Sequence, residues 1–230
     1  KMEVSRNFQP KDGFLKKIRK LCDRKKIILI FDECTSGFRQ TFGGLHKIYG
    51  VNPDMAWFGK AMGNGYSIAA IIGKREIMDH AQDTFMSSTF WTERSGPVAA
   101  LETLKQMEKI KSWKIITNKG LKIQKSWKLL AERNNLKINV MGIPALSSFT
   151  INSQSWLKYK TFLTQEMLKN KYLAANAIFL STKHNDKILD NYFNILDDIF
   201  KKISNFENGS LSVDKYLDGP VCQSGFQRLN

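Results

Sequence analysis

Residues 27–31, Ile-Ile-Leu-Ile-Phe, form an unbroken apolar run that stops at Asp32-Glu33. A run this short, rich in β-branched residues and bounded by charge, predicts a strand buried on both faces, as in parallel sheets, with two carboxylates at its C-terminal tip. Immediately before it, Phe14, Leu15, Ile18, Leu21 and Cys22 recur at helical spacing across residues 12–25, with Asp12 placed to cap the helix N-terminus. A helix feeding directly into such a strand is half of a βαβ unit. The expected fold class is therefore α/β with a mainly parallel sheet.

The next stretch, residues 35–67, holds seven of the fifteen glycines (Gly37, Gly43, Gly44, Gly50, Gly59, Gly63, Gly65) and Pro53. So much loop chemistry inside a compact domain is usually functional. Short strands are expected at 55–58 and 68–73, then a helical pattern over 97–134 with Pro97 in its first turn and Gly120 marking a break. From residue 135 the pattern changes to strands at 136–141, 146–151 and 177–180 and helices at 157–170 and 186–206. This predicts a small α+β domain over 135–208 after a larger one over 1–134, with an irregular tail at 209–230.

A chain of 230 residues that is 42% hydrophobic and 25% charged suits one or two globular domains. Its longest apolar runs fall far short of the roughly 20 residues that span a bilayer, so no membrane partner is expected. The net charge of +15 comes mainly from 28 lysines spread along the whole chain, which reads as a solvated surface and not as a nucleic-acid stripe. Cys22, Cys34 and Cys222 lack metal-ligand spacing to one another or to His46, His80 and His184, so no metal site is expected. Three cysteines without a secretory signal fit a reducing compartment, the cytoplasm by default.

Two features bear on chemistry. Asp32 and Glu33 end a strand, and open α/β sheets bind ligands outside the carboxyl ends of their strands; a solvated strand end or a helix cap would use the same residues. Lys60 lies in Gly-Lys-Ala-Met-Gly-Asn-Gly-Tyr (59–66), which matches neither a Walker phosphate loop nor GxGxxG. Small neighbours let a backbone approach a ligand and can shield an amine from water. Desolvation lowers an amine's pKa and makes it a nucleophile toward carbonyl carbon. A purely structural lysine remains the alternative.

Taken together, Ile-Phe-Asp-Glu-Cys-Thr-Ser-Gly-Phe-Arg (30–39), Gly43-Gly44, Gly-Val-Asn-Pro-Asp (50–54) and the Lys60 segment closely resemble the signature of class III pyridoxal-phosphate aminotransferases. The likeness is greatest to the branch that includes glutamate-1-semialdehyde aminomutase. Glu-Val-Ser-Arg (3–6) resembles the strand end before that family's Gly-Phe-Leu helix, and residues 218–230 resemble its C-terminus. The resemblance implies part of a fold type I large domain, the C-terminal half of the cofactor-binding domain, followed by the small terminal domain.

It also implies roles. Lys60 would carry pyridoxal phosphate as a Schiff base and shuttle protons, and Asp32 would pair with the pyridinium nitrogen so that the ring serves as an electron sink. Cys34 stands where such proteins often carry valine against one ring face, and is read as a small packing group. Within Ser-Thr-Phe-Trp-Thr-Glu-Arg-Ser-Gly-Pro (88–97), a threonine would bind the cofactor phosphate of the other subunit of a homodimer. Counting back from Pro97 selects Thr92, and matching Ser-Thr-aromatic selects Thr89. Arg39 and Arg94 are candidates to hold a substrate carboxylate. The substrate would be a small amine or amino acid, with transfer or intramolecular migration of its amino group. The family's phosphate loop and ring-stacking aromatic have no counterpart before Asp32. A gene fragment, a shortened chain or one piece of a split protein is therefore expected, impaired in catalysis by itself or acting as a non-catalytic partner.

Overall fold

The computed structural model describes residues 9–87, 89 and 92–224. The 3–6 segment and residues 225–230, both part of the resemblance above, lie outside the described residues. The chain forms two compact units that divide between Thr117 and Asn118.

In the first unit, α1 (Phe14–Lys25) leads into β1 (Ile30–Asp32), then α2 (His46–Tyr49), β2 (Met55–Phe58), a 3-10 turn at Lys60–Met62, β3 (Ala70–Gly73), α3 (Arg75–Met78) and α4 (Ser95–Ile110). β2 is central. It pairs in parallel with β1, Asp32 opposite Trp57, and antiparallel with β3, Phe58 opposite Ala70. Ala56, Phe58, Met62 and Ala100 are buried together, with Phe38, Ile68, Ala70 and Leu104 packed on them. One face of the sheet is thus covered by α4 and by the loop that carries Lys60.

Three expectations are corrected here. Asp12 does not cap α1: Gly13 holds the N-cap position at φ 72°, no side chain caps it, and the Lys11 carbonyl takes the Phe14 N–H at 2.9 Å. A left-handed turn leads the chain in, and glycine adopts that conformation without the Cβ penalty. The 27–31 run is not a doubly buried strand either, since Ile27, Ile28 and Ile30 are 54%, 52% and 44% exposed. Among the described residues β1 has one neighbour, and a parallel strand is buried only when flanked and covered on both faces. Finally, the break in the long helical pattern falls at Lys111, which ends α4 at φ 51°, and not at Gly120. Gly120 lies inside α5 (Ser112–Arg133), where a Cβ would collide with the Pro144 carbonyl. The glycine marks a close approach and not a stop.

The second unit contains an antiparallel sheet ordered β4 (Ile138–Met141), β5 (Leu146–Ile151), β6 (Ala177–Phe179), with α6 (Trp156–Lys169) and α7 (Asp186–Glu207). Asn185 caps α7 by accepting the Ile188 N–H at 2.9 Å. Leu189, Tyr192, Leu196, Ile199 and Ile203 then recur on one buried face of that helix. The core closes around Trp127, Phe149, Phe162 and Phe200, with Trp127 and Phe149 ring centroids 4.9 Å apart. Among the described residues no helix is long and apolar enough to cross a membrane.

Candidate active site

β1 and β2 run in parallel, so their carboxyl ends open on the same side of the sheet, and the chain places chemistry at both. Asp32 closes β1 with its side chain exposed, and its Oδ1 accepts the Cys34 N–H at 2.9 Å. Glu33 behaves oppositely. It is 3% exposed; its Oε1 accepts the His46 backbone N–H at 3.0 Å and lies 2.9 Å from His46 Nδ1, while its Oε2 accepts the Ser36 hydroxyl. The two tip carboxylates therefore separate: Asp32 faces outward, whereas Glu33 braces the turn that follows. That turn is tight, since a Cβ on Gly37 would lie 2.7 Å from the Glu33 carbonyl oxygen and 2.8 Å from the Phe58 ring. His46, which has no metal-ligand spacing to the cysteines in the sequence, is part of this brace. A buried carboxylate needs donors, but nothing local in the sequence says where they come from.

Lys60 opens the 3-10 turn after β2 at φ 44°, a left-handed backbone that non-glycine residues seldom adopt. Such outliers cluster at functional sites. Its side chain is exposed among the described residues, and not shielded as expected. Lys60 Nζ donates to Thr35 Oγ1 at 2.8 Å, joining the loops that leave β1 and β2. Thr35 went unremarked in the sequence. The neighbouring Gly59 approaches Cys34, where an added Cβ would sit 3.6 Å from Sγ. Burial and then Asp32 push the Cys34 thiol up, which keeps it neutral and suits a packing role.

The remaining candidates are more scattered. Arg39 is partly buried, its Nε has no hydrogen-bond partner among the described residues, and burial pulls its guanidinium down. Arg94 is the exposed N-cap residue of α4. Thr89 and Thr92 are exposed and separated by residues outside the description. Asp32, Cys34, Thr35 and Lys60 are thus assembled by contact, while Thr89, Thr92 and Arg94 make no described contact with them. Beside β1 opens a cleft of about 870 Å³, walled by Phe14, Leu15, Ile30, Asp32, Thr35 and His46 among others. Among the described residues no group of three or more His, Cys, Asp or Glu side chains is placed to hold a metal ion.

Asp54, from the Gly-Val-Asn-Pro-Asp motif, underpins this arrangement and was assigned no role from sequence. Its Oδ2 accepts the Leu29 N–H and Arg19 Nη1, both at 2.8 Å, and its Oδ1 meets Lys74 Nζ at 2.7 Å. Burial alone would raise its pKa, but the Leu29 N–H, Lys74 and Arg19 together hold it well below the usual carboxylate range. One carboxylate therefore ties α1, the entry to β1 and the exit of β3.

A family model for class-III aminotransferases matches residues 7–174. The chain is 37% identical over 177 residues to 3-aminobutyryl-CoA aminotransferase of Cloacimonas acidaminovorans (strain Evry), covering 76% of this chain and 40% of that protein. It is 31% identical over 211 residues to glutamate-1-semialdehyde 2,1-aminomutase of Methanococcus maripaludis, covering 84% and 49%. The chain thus spans about half the length of the curated relatives it matches. Among solved structures, the FumI protein of Sphingopyxis sp. MTA144 in its PLP internal aldimine form superposes with a TM-score of 0.77 at 22% identity, covering 85% of this chain and 48% of that one. An omega-transaminase from Sphaerobacter thermophilus gives 0.74 at 19%, covering 84% and 48%. At these identities the structures establish the α/β fold shared with transaminases.

Proposed function

The chain belongs to the class III aminotransferase family, and from that premise we propose that it contributes the catalytic lysine and ring-nitrogen acid of a pyridoxal-phosphate enzyme that transfers or migrates an amino group. The observation that carries this reading is the pairing across the two loops: an exposed Asp32 at the end of β1, and a Lys60 amine bound at 2.8 Å to Thr35, three residues after it. An outward-facing acid and a reachable primary amine, at the carboxyl ends of adjacent parallel strands, are the donor set the cofactor needs.

Lys60 and Asp32 would hold pyridoxal phosphate, with Cys34 packing beside them. When bound, the cofactor supplies an aldehyde and an electron-withdrawing ring that spreads negative charge from the substrate carbon bearing the amine. Asp32 keeps a proton on the ring nitrogen, since an anion at that place favours the charged form. Lys60 Nζ moves a proton at the substrate carbon, a task its four flexible methylenes allow. Thr92, or Thr89, takes the cofactor phosphate across a homodimer interface. Arg39 and Arg94 hold the carboxylate of a small amino-acid substrate, and a buried Arg39 Nε without a partner among the described residues favours an anion there. Residues 1–134 act as the second half of the cofactor domain, with 135–208 as the small domain and 209–230 as a tail. Three free cysteines suit a reducing compartment, and we place the protein in the cytoplasm.

The test is borohydride reduction after incubation with pyridoxal phosphate, followed by peptide mapping. Selective labelling of Lys60 among the 28 lysines, lost in Lys60→Ala, is the expected result. Labelling scattered over many lysines, with Lys60 unmarked even when a complementary polypeptide is supplied, refutes the assignment. A second reading is favoured by the single neighbour of β1 and the cleft beside it: a partner polypeptide supplies the rest of the sheet, and this chain is non-catalytic alone. A monodisperse monomer that turns over substrate unaided would exclude it.

A further inference from the structure

We propose that Thr35 is a positioning residue for Lys60, holding the amine by a neutral oxygen so that it stays beside Asp32 without being paired to it. The inference rests on the reading of Lys60 given above and gives a role to Thr35, which that reading cites only as the neighbour of the amine. Among the described residues the only recorded partner of Lys60 Nζ is Thr35 Oγ1 at 2.8 Å, and Lys60 forms no ion pair. An ammonium placed near a carboxylate would ordinarily pair with it, because a charge-assisted hydrogen bond is roughly twice as strong as a neutral one. Such a pair would occupy the amine and the acid together. Here the amine is instead on Thr35, and the Asp32 carboxylate is on the Cys34 N–H. The Thr35 hydroxyl offers an acceptor strong enough to hold the amine in one place and weak enough to release it when a carbonyl carbon arrives.

The surroundings support a positioning role. Asp32 keeps its own Oδ1 on the Cys34 N–H, the backbone turn that also carries Thr35, so acid and hydroxyl are fixed by one short segment. Thr35 and Asp32 both line the cleft beside β1, so the hydrogen bond draws the amine of Lys60 to that rim from a loop 25 residues further along the chain. The β-branched threonine side chain is stiff at χ1, which makes its oxygen a fixed anchor. Lys60 by contrast is exposed, with long flexible methylenes, and without the anchor its nitrogen would sample many rotamers.

The experiment compares wild type with Thr35→Val, which keeps shape and loses the oxygen, and Thr35→Ser, which keeps the oxygen. Each folded protein, free of cofactor, is treated with limiting formaldehyde and cyanoborohydride, and methylation of every lysine is quantified by peptide mass spectrometry. Loss of one ordinary hydrogen bond predicts that Lys60 methylation rises about fivefold in Thr35→Val, and Thr35→Ser returns it to near the wild-type rate. Lys47 and Lys74, held by other partners, serve as references and stay constant. An unchanged Lys60 rate in Thr35→Val overturns the proposal, as does a rise shared by all three lysines. Should Thr35→Val lower the melting temperature, Thr35→Ala, which also removes the oxygen, decides with Lys47 and Lys74 as references: a rise at Lys60 alone upholds the anchor, and a wild-type Lys60 rate overturns it. Failure of the enzyme reading looks different, because Lys60 would then respond to Thr35 in this assay yet remain unlabelled by pyridoxal phosphate and borohydride.

Discussion

Replacing Asp54 by asparagine should destabilise the first unit by about 3 kcal/mol, and the number can be built from the contacts. Asparagine keeps the shape and one carbonyl oxygen, enough for the Leu29 N–H. It loses the charge facing Arg19, whose side chain is 18% exposed, and turns a donor toward Lys74, which is 51% exposed. A hydrogen bond to a charged group is worth about 1.5–3 kcal/mol, and a half-exposed pair such as that with Lys74 adds at most about 1 kcal/mol. For a unit of this size that loss corresponds to roughly 10 °C in melting temperature, and to amide exchange at Leu29 faster by on the order of a hundredfold if it opens with the unit. The pH dependence has a definite sign. The folded pKa of Asp54 is depressed, so its contribution is complete above the ordinary carboxylate range and disappears as pH falls toward the folded value. The gap between wild type and Asp54→Asn should therefore be full at neutral pH and close progressively below about pH 4. Thermal melts and hydrogen exchange across residues 27–32 make the measurement. Equal melting temperatures at neutral pH, or a gap that widens in acid, would refute the reasoning.

Two further outcomes follow from the second unit. Gly120→Ala places a methyl group on the Pro144 carbonyl, a rigid neighbour, and should cost about 1–3 kcal/mol in urea unfolding despite alanine's better helix propensity; a variant as stable as wild type would show that the approach is looser than described. Tyr159 has its hydroxyl pushed up to about 12, first by burial and then by its hydrogen bond to Glu207. A raised folded pKa means that the folded state keeps its proton longer, so the stability Tyr159 confers is present below pH 10 and lost as pH rises toward 12. Tyr159→Phe should lack that alkaline loss in urea titrations followed by circular dichroism, and identical pH profiles would contradict it.

Legibility varied with the range of the interaction. The periodic face of α7 and the strand patterns of β4 and β5 are local properties of sequence, and the helix and strands lie where periodicity puts them. The α/β class followed from one apolar run. What local pattern could not supply was partnership across the chain: Lys60 with Thr35 over 25 residues, Glu33 with His46 over 13, and Asp54 with Arg19 over 35. Asp54 and His46 were visible as residue types, but their donors and acceptors are decided by packing. Gly120 failed for a related reason. A helical glycine looks the same in sequence whether it ends a helix or admits a neighbouring backbone.

The exposed isoleucines beside β1 carry a colloidal consequence. A short apolar edge strand is a template for pairing with another chain, and proteins restrain such segments with flanking charges that act as gatekeepers. Here the flanks are Lys25 and Lys26 on one side and Asp32 on the other, all exposed, around Ile27, Ile28 and Ile30. Where two copies pair in parallel, like charges face one another, and that repulsion reaches only about 8 Å at physiological ionic strength and less in concentrated salt. The solubility of the chain should accordingly fall as salt rises, opposite to what screening a net charge of mixed pairs would give in a well-covered protein. Asp32 then guards the edge against self-association with the same carboxylate that the proposed function assigns to the cofactor, so its replacement by asparagine would test both roles together.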